Sequence, residues 1–282
     1  MIETFTELHG LRERVRGWKR DGLRVAFVPT MGNLHDGHFS LVKRAREHAD
    51  RVVASVFVNP TQFGPNEDFA RYPRTPEADA SGLDAAGCDA LWLPSVETMY
   101  PYGVEATVRV QVPAVTQTLE GASRPGHFDG VATVVSRLFN QVQPDVAVFG
   151  RKDYQQLAVV RYLVRDLAFP IEIVGADIIR EANGLAMSSR NQYLSDDERT
   201  QAALISRCLG AMAEAIASGQ PREAVEAQAV QRLAEAGFQP DYAVVRRPDL
   251  TEPAGGETGS MVALIAARLG RTRLIDNLEF TA

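Results

Sequence analysis

The apolar run Leu23-Arg24-Val25-Ala26-Phe27-Val28 leads directly into Pro29-Thr30-Met31-Gly32-Asn33-Leu34-His35-Asp36-Gly37-His38, and the reading of this stretch decides the fold. A short, continuous apolar run suits a strand covered on both faces, and the Gly-containing turn after it opens a helical pattern at Leu41, Val42, Ala45 and Ala49. Four more runs of the same kind follow, at residues 52–58, 90–93, 146–149 and 171–174, with helical spacing between them, as in residues 131–142. Such alternation predicts an α/β architecture: a Rossmann-like parallel sheet with helices on both faces. Phe5, Leu8, Leu11, Val15 and Trp18, three or four residues apart, predict an opening helix.

After Ile179 the pattern changes. Ser195 and Glu198 form a capping box ahead of Leu204, Cys208, Leu209, Met212 and Ile216, which fall on one helical face. Gly219 is placed to end that helix and Pro221 to start another. Apolar runs at 242–245, 261–266 and 272–275 then predict strands. The expected division is residues 1–180 as the Rossmann-like domain and 181–282 as a smaller α+β domain.

Composition narrows the function classes. A chain of 282 residues that is 45% hydrophobic can bury a sizeable core, which excludes disordered and fibrous proteins. A net charge of −6 argues against broad nucleic-acid binding. The first ten residues carry no apolar run and no later stretch is long enough to span a bilayer, so a cytoplasmic protein without membrane attachment is expected. Cys88 and Cys208 lack partners at zinc or disulfide-scaffold spacing. Only three of the 30 basic side chains are lysines, namely Lys19, Lys43 and Lys152.

Four motifs carry chemistry. The first, His35-Asp36-Gly37-His38, lies where a parallel strand ends and a helix begins, and there unpaired N–H groups and the helix dipole favour an anion such as phosphate. Gly37 lets a nucleotide approach the backbone, and both imidazoles can donate to phosphate oxygens whose charge grows during reaction. The second, Asn59-Pro60-Thr61-Gln62-Phe63, sets amide side chains beside an aromatic wall and suits hydroxyl or carboxylate recognition. The third, Gly150-Arg151-Lys152-Asp153-Tyr154-Gln155-Gln156, follows an apolar run; Lys152 can neutralise phosphate as a point charge, and Gln156 lies one helical turn further on. The fourth, Asn183-Gly184-Leu185-Ala186-Met187-Ser188-Ser189-Arg190-Asn191, joins a turn to hydroxyls and a guanidinium. Neither a P-loop nor GxGxxG is present.

PTMGNLHDGH, FVNPTQFG, SRPGHFDGVATVV, GRKDYQQL and GLAMSSRN, in that order across residues 29–191, resemble the pantoate:beta-alanine ligases, within the HxGH nucleotidyltransferase superfamily. The resemblance implies two steps: formation of pantoyl adenylate from ATP and (R)-pantoate, then attack by the beta-alanine amine to release pantothenate and AMP. It implies a homodimer, and Mg2+ accompanying ATP. It places ATP on Met31, Gly32, Asn33, Leu34, His35, Asp36, Gly37, His38, Gly150, Arg151, Lys152, Asp153, Ile179, Met187, Ser188, Ser189 and Arg190. His38 takes the role of proton donor, with His35 and Lys152 on the phosphates. Gln62 would contact both pantoate and beta-alanine, and Gln156 pantoate. Asn183 stands where Asp is expected, and His127 is read as structural. Mg2+ would be held by phosphates and waters, since no carboxylate cluster with ligand spacing appears.

Two other classes compete with this one. A nucleotidyltransferase acting on a phosphorylated acceptor would need a pocket rich in Arg and Lys, whereas Asn59, Gln62 and Gln156 favour an unphosphorylated acid. A non-catalytic nucleotide sensor would be expected to have lost His35, His38 or Lys152.

Overall fold

The computed structural model describes residues 2–64, 67 and 69–282. It separates into two compact units, Met1–Arg151 with Gln155–Asp177, and Lys152–Tyr154 with Ile178–Ala282.

The first unit carries a six-stranded sheet of β1 (Glu3–Phe5), β2 (Val25–Thr30), β3 (Arg51–Val56), β4 (Ala90–Trp92), β5 (Val146–Gly150) and β6 (Glu172–Ala176), in the order β1-β4-β3-β2-β5-β6. Every pair is parallel. The helices are α1 (Leu8–Arg20), α2 (Asp36–Arg46), α3 (Pro76–Ala85), the short α4 (Val96–Met99) and α5 (Glu120–Ser123), α6 (His127–Val142) and α7 (Tyr154–Asp166).

The strands read as continuous apolar runs because alternate residues serve two different cores. Val25 and Phe27 of β2, Val53 of β3, Trp92 of β4 and Phe149 of β5 join Leu11, Val15, Phe139 and Leu163 on one face. Ala26, Val28, Val52, Leu91 and Val148 join Leu41, Val42 and Leu83 on the other. Burial on both faces of the central strands β2 to β5 leaves little room there for solvated side chains, so period-two polarity is absent.

From β2 the chain moves outward one way through β3 and β4, and the other way through β5 and β6. β2 and β5 therefore flank the topological switch point, beyond whose carboxyl ends such sheets bind their ligands. The HxGH stretch follows one of these strands and the Gly150 segment follows the other.

The second unit holds α8 (Asp196–Ala202), α9 (Leu204–Ala217), α10 (Arg222–Glu235) and an antiparallel sheet of β7 (Gln239–Arg246), β8 (Ser260–Leu269) and β9 (Thr272–Thr281). Cys208, Leu209, Met212, Val225, Leu233 and Ile265 belong to its own core. The turn joining β8 to β9 needs Gly270: its φ is 55°, and an added Cβ would lie 2.4 Å from Glu198 Oε1.

Three local expectations are corrected. Phe5 lies in the edge strand β1, paired with Trp92, and the opening helix starts only at Leu8. The helix expected after Ser195 is two helices meeting at Ala203, although the Ser195–Glu198 capping box forms as expected. The last strand continues past Ile275 to Thr281 because its second half still pairs with β8. Among the described residues, no helix is long and apolar enough to cross a membrane.

Candidate active site

The loop after β2 turns through two left-handed residues, Gly32 at φ 88° and Asn33 at φ 51°, before His35 caps α2. Gly32 is required twice over, since a Cβ there would also lie 2.9 Å from Val56 Cγ1. Asp79, buried on α3, holds the turn: its carboxylate accepts the backbone N–H of Asn33 at 3.0 Å, that of Leu34 at 2.8 Å, and the hydroxyl of Thr75 at 3.0 Å.

His35 and His38 form a reciprocal capping box. The Gly37 N–H donates to His35 Nδ1 at 3.1 Å, and the His35 N–H donates to His38 Nδ1 at 3.3 Å. The His38 N–H is itself bonded to the His35 carbonyl. Of the N–H groups at this helix start, that of Gly37 goes to the His35 ring, and those of His38 and Phe39 to the His35 carbonyl. Both Nδ1 atoms accept, so the neutral rings carry their protons on Nε2. The ring centroids lie 4.2 Å apart, which makes the two imidazoles one unit.

The turn after β3, a 3-10 helix at Pro60–Gln62, reaches this loop through Gln62. Gln62 Nε2 donates to Met31 Sδ at 3.0 Å, and Gln62 Oε1 accepts from Asn59 Nδ2 at 3.0 Å. Asn59 Oδ1 in turn accepts from the Thr61 backbone, the Thr61 hydroxyl and the Tyr100 hydroxyl. This network fixes the amide orientation, so Gln62 directs N–H donors toward Met31 and a group placed there must accept. Asn59 is spent on protein contacts; the structure gives it a scaffolding place rather than a recognition one. Phe63, the expected aromatic wall, packs on Phe69 and Tyr72.

The segment at residues 123–135, which sequence reasoning left without a role, supports that turn. His127 Nδ1 donates to the Gln62 carbonyl at 2.8 Å, and its Nε2 accepts from Arg124 Nη1 at 3.0 Å. Burial, reinforced by the Arg124 charge, holds the His127 pKa down at about 4, so the ring is neutral. Arg124 also grips Glu67 with two parallel bonds. Gly130 lies so close that a Cβ would sit 2.4 Å from the Thr61 carbonyl oxygen.

At the end of β5, a Cβ on Gly150 would meet only Leu41, at 3.9 Å, so protein packing does not demand glycine there. The two glutamines that follow are distinguished by the fold. Gln155 is buried and ties down the preceding loop, accepting from the Glu120 N–H and donating to the Val115 and Thr118 carbonyls. Gln156 is half-buried one residue on. Arg151 Nε lies 3.7 Å from Asp177, and Lys152 Nζ 3.9 Å from half-exposed Asp153.

In the second unit the Lys152 carbonyl accepts from Asn277 Nδ2 at 2.9 Å. The Ile179 carbonyl accepts from the Met187 N–H at 2.9 Å, so two expected ATP-binding positions adjoin. Ser188 caps Ser189–Tyr193 through the Arg190 N–H, and buried Asn191 donates to Glu181 and Ala186. Arg180 pairs with buried Asp276 through two bonds; burial raises the Asp276 pKa, and Arg180 opposes that rise. Asn183 accepts from the Leu185 N–H, as Asp would, but also donates Nδ2 to the Arg199 carbonyl, which Asp could not do.

Sequence reasoning missed Asp79, Gly130 and Arg124. The local signals were the Thr75-Pro76 helix start ahead of Asp79 and, for Arg124 and Gly130, the motif SRPGHFDGVATVV that contains them. Among the described residues, no three His, Cys, Asp or Glu side chains stand together as a metal cluster.

The family model of the pantoate-beta-alanine ligases matches residues 3–279. A pantothenate synthetase of Xanthomonas euvesicatoria pv. vesicatoria is 68% identical over 280 residues, covering 99% of this chain and 100% of the relative. The crystal structure of pantothenate synthetase from Thermus thermophilus superposes with a TM-score of 0.90 at 47% identity, covering 98% of this chain and 99% of that one. The pantoate-beta-alanine ligase of Francisella tularensis, crystallised with beta-gamma ATP and beta-alanine, gives a TM-score of 0.82 at 30% identity, covering 99% and 97%. Matched from end to end in both sequence and fold, this chain belongs to the pantoate-beta-alanine ligases, the enzymes that condense pantoate with beta-alanine at the expense of ATP.

Proposed function

We propose that the residues described above divide the two half-reactions as follows. His35 and His38 hold phosphate oxygens of ATP through their Nε2–H groups, and His38 lies nearest the leaving pyrophosphate in role. The observation that carries this assignment is the reciprocal capping box: with both Nδ1 atoms accepting backbone N–H groups, each neutral ring has its proton on Nε2. Full transfer of that proton would leave an imidazolate, so His38 acts chiefly by hydrogen-bonding the charge that develops on the leaving group.

Gln62 donates to an acceptor oxygen of pantoate and later helps to orient beta-alanine; its fixed amide direction supports recognition of an acid. Gln156 holds pantoate and leaves the loop-binding duty to Gln155. ATP also engages Met31, Gly32, Asn33, Leu34, Asp36 and Gly37, together with Gly150, Arg151, Lys152 and Asp153. The parts taken by Ile179, Met187, Ser188, Ser189 and Arg190 rest on the family resemblance. Attack by the pantoate carboxylate on the α-phosphate breaks the bond to pyrophosphate; the beta-alanine amine then displaces AMP from the adenylate. Mg2+, carried by phosphates and water, would neutralise charge on ATP. Homodimeric assembly and a cytoplasmic location belong to the same proposal.

ATP/pyrophosphate exchange with pantoate present and beta-alanine absent isolates the first step. Exchange that depends on pantoate is the expected result; its absence in folded, ATP-binding protein would overturn the adenylate route.

A further inference from the structure

We propose that Asp79, far from the HxGH residues in sequence, is the positioning residue that sets the geometry of the imidazole pair. The inference rests on the reading of His35 and His38 given above. A carboxylate is not needed to fill space on the inner face of α3, where Leu83 packs with an apolar side chain. Asp79 is almost fully buried, and all three hydrogen bonds of its carboxylate are acceptances, two from consecutive N–H groups in the β2 loop and one from Thr75. A buried carboxylate is retained only where donors compensate its lost hydration, and here the donors are the backbone of the loop itself. Those two N–H groups belong to Asn33 and Leu34, immediately before His35. They fix the left-handed turn at Gly32 and Asn33, and that turn sets the angle at which the chain enters α2. Gly32 completes the fit, since a Cβ there would stand 3.0 Å from Asp79 Oδ2. Asp79 thus consumes the N–H groups of Asn33 and Leu34, so that this loop meets phosphate through the imidazoles, whose Nδ1 contacts depend on the entry angle it imposes.

Asp79→Asn tests this directly. The amide keeps the size but replaces one acceptor oxygen with a donor facing a backbone N–H. In pantoate-dependent exchange, the KM for ATP should rise about ten- to a hundredfold while the KM for pantoate stays near wild type. Nitrogen-15 spectra of the imidazoles in the folded variant should show His35 and His38 losing the accepting-Nδ1 signature seen in wild type. Unchanged ATP KM with unchanged imidazole signals would overturn the proposal. Should Asp79→Asn not fold, Thr75→Val removes one of the three donors, and a severalfold rise in ATP KM with the same spectral change is expected; no change in either overturns the proposal. Wild-type protein lacking pantoate-dependent exchange would instead defeat the functional reading, and the spectra would still decide whether Asp79 sets the rings.

Discussion

The side-chain amide of Gln62 donates to the thioether sulfur of Met31 at 3.0 Å, joining the turns that leave two neighbouring strands of the sheet. Sulfur is a weak acceptor, so this contact orients Gln62 without satisfying it strongly, and an oxygen ligand can take its place. Met31→Leu keeps the volume and removes the acceptor, and should leave exchange within a few-fold of wild type. Under the proposed assignment, Gln62→Ala should raise the KM for pantoate by roughly one to two orders of magnitude, because the buried donor assigned to the acid is lost. Equal, small effects for the two variants in steady-state kinetics would contradict the assignment.

His38→Ala removes the Nε2–H donor and the Nδ1 acceptor of the cap together. The cap is worth about 1 kcal/mol, too little to unfold the chain. Loss of one donor to a developing oxyanion typically costs about a hundred- to a thousandfold in rate. Single-turnover adenylation should therefore collapse while the circular dichroism spectrum is retained; near-wild-type turnover would remove His38 from the mechanism.

His127 makes stability depend on pH. Its folded-state pKa is held down at about 4, against about 6.5 for an unfolded histidine, so between those values the unfolded chain binds a proton that the folded chain excludes. Stability should thus be intact above about pH 6.5 and fall as pH drops toward 4, by roughly 3 kcal/mol in all from this group. Urea melts of wild type and His127→Gln between pH 7 and 4.5 would reveal the difference: the wild-type slope should be the steeper, and parallel slopes would rule the effect out.

Asn183→Asp keeps the turn to Leu185 and loses the bond to the Arg199 carbonyl. The expected cost is about 1 kcal/mol of stability, read as a lowered denaturation midpoint, with activity close to wild type. A stabilised variant would mean that the Arg199 contact contributes nothing.

What the sequence determined by itself is whatever is written in short-range spacing. The five apolar runs gave the parallel sheet because strands covered on both faces admit no polar alternation, as Val25 and Phe27 on one face and Ala26 and Val28 on the other illustrate. The Ser195–Glu198 capping box was equally readable, since such a box closes over three residues, whereas the same closure by His35 and His38 was not, because those histidines read in sequence as donors to phosphate. The edge strand β1 escaped notice because three residues are too few for a period to register. The tertiary structure decided everything that depends on distant partners. Gln155 and Gln156 are identical in type and adjacent, yet the loop around Glu120 claims only the first. Asp79 meets Leu34 across 45 residues, and His127 meets Gln62 across 65. No local periodicity encodes which of many carboxylates or imidazoles will find a given backbone group. That choice is made when the two cores bring α3 and α6 against the loops at the sheet's carboxyl edge, where a buried polar group keeps its place only by finding a partner.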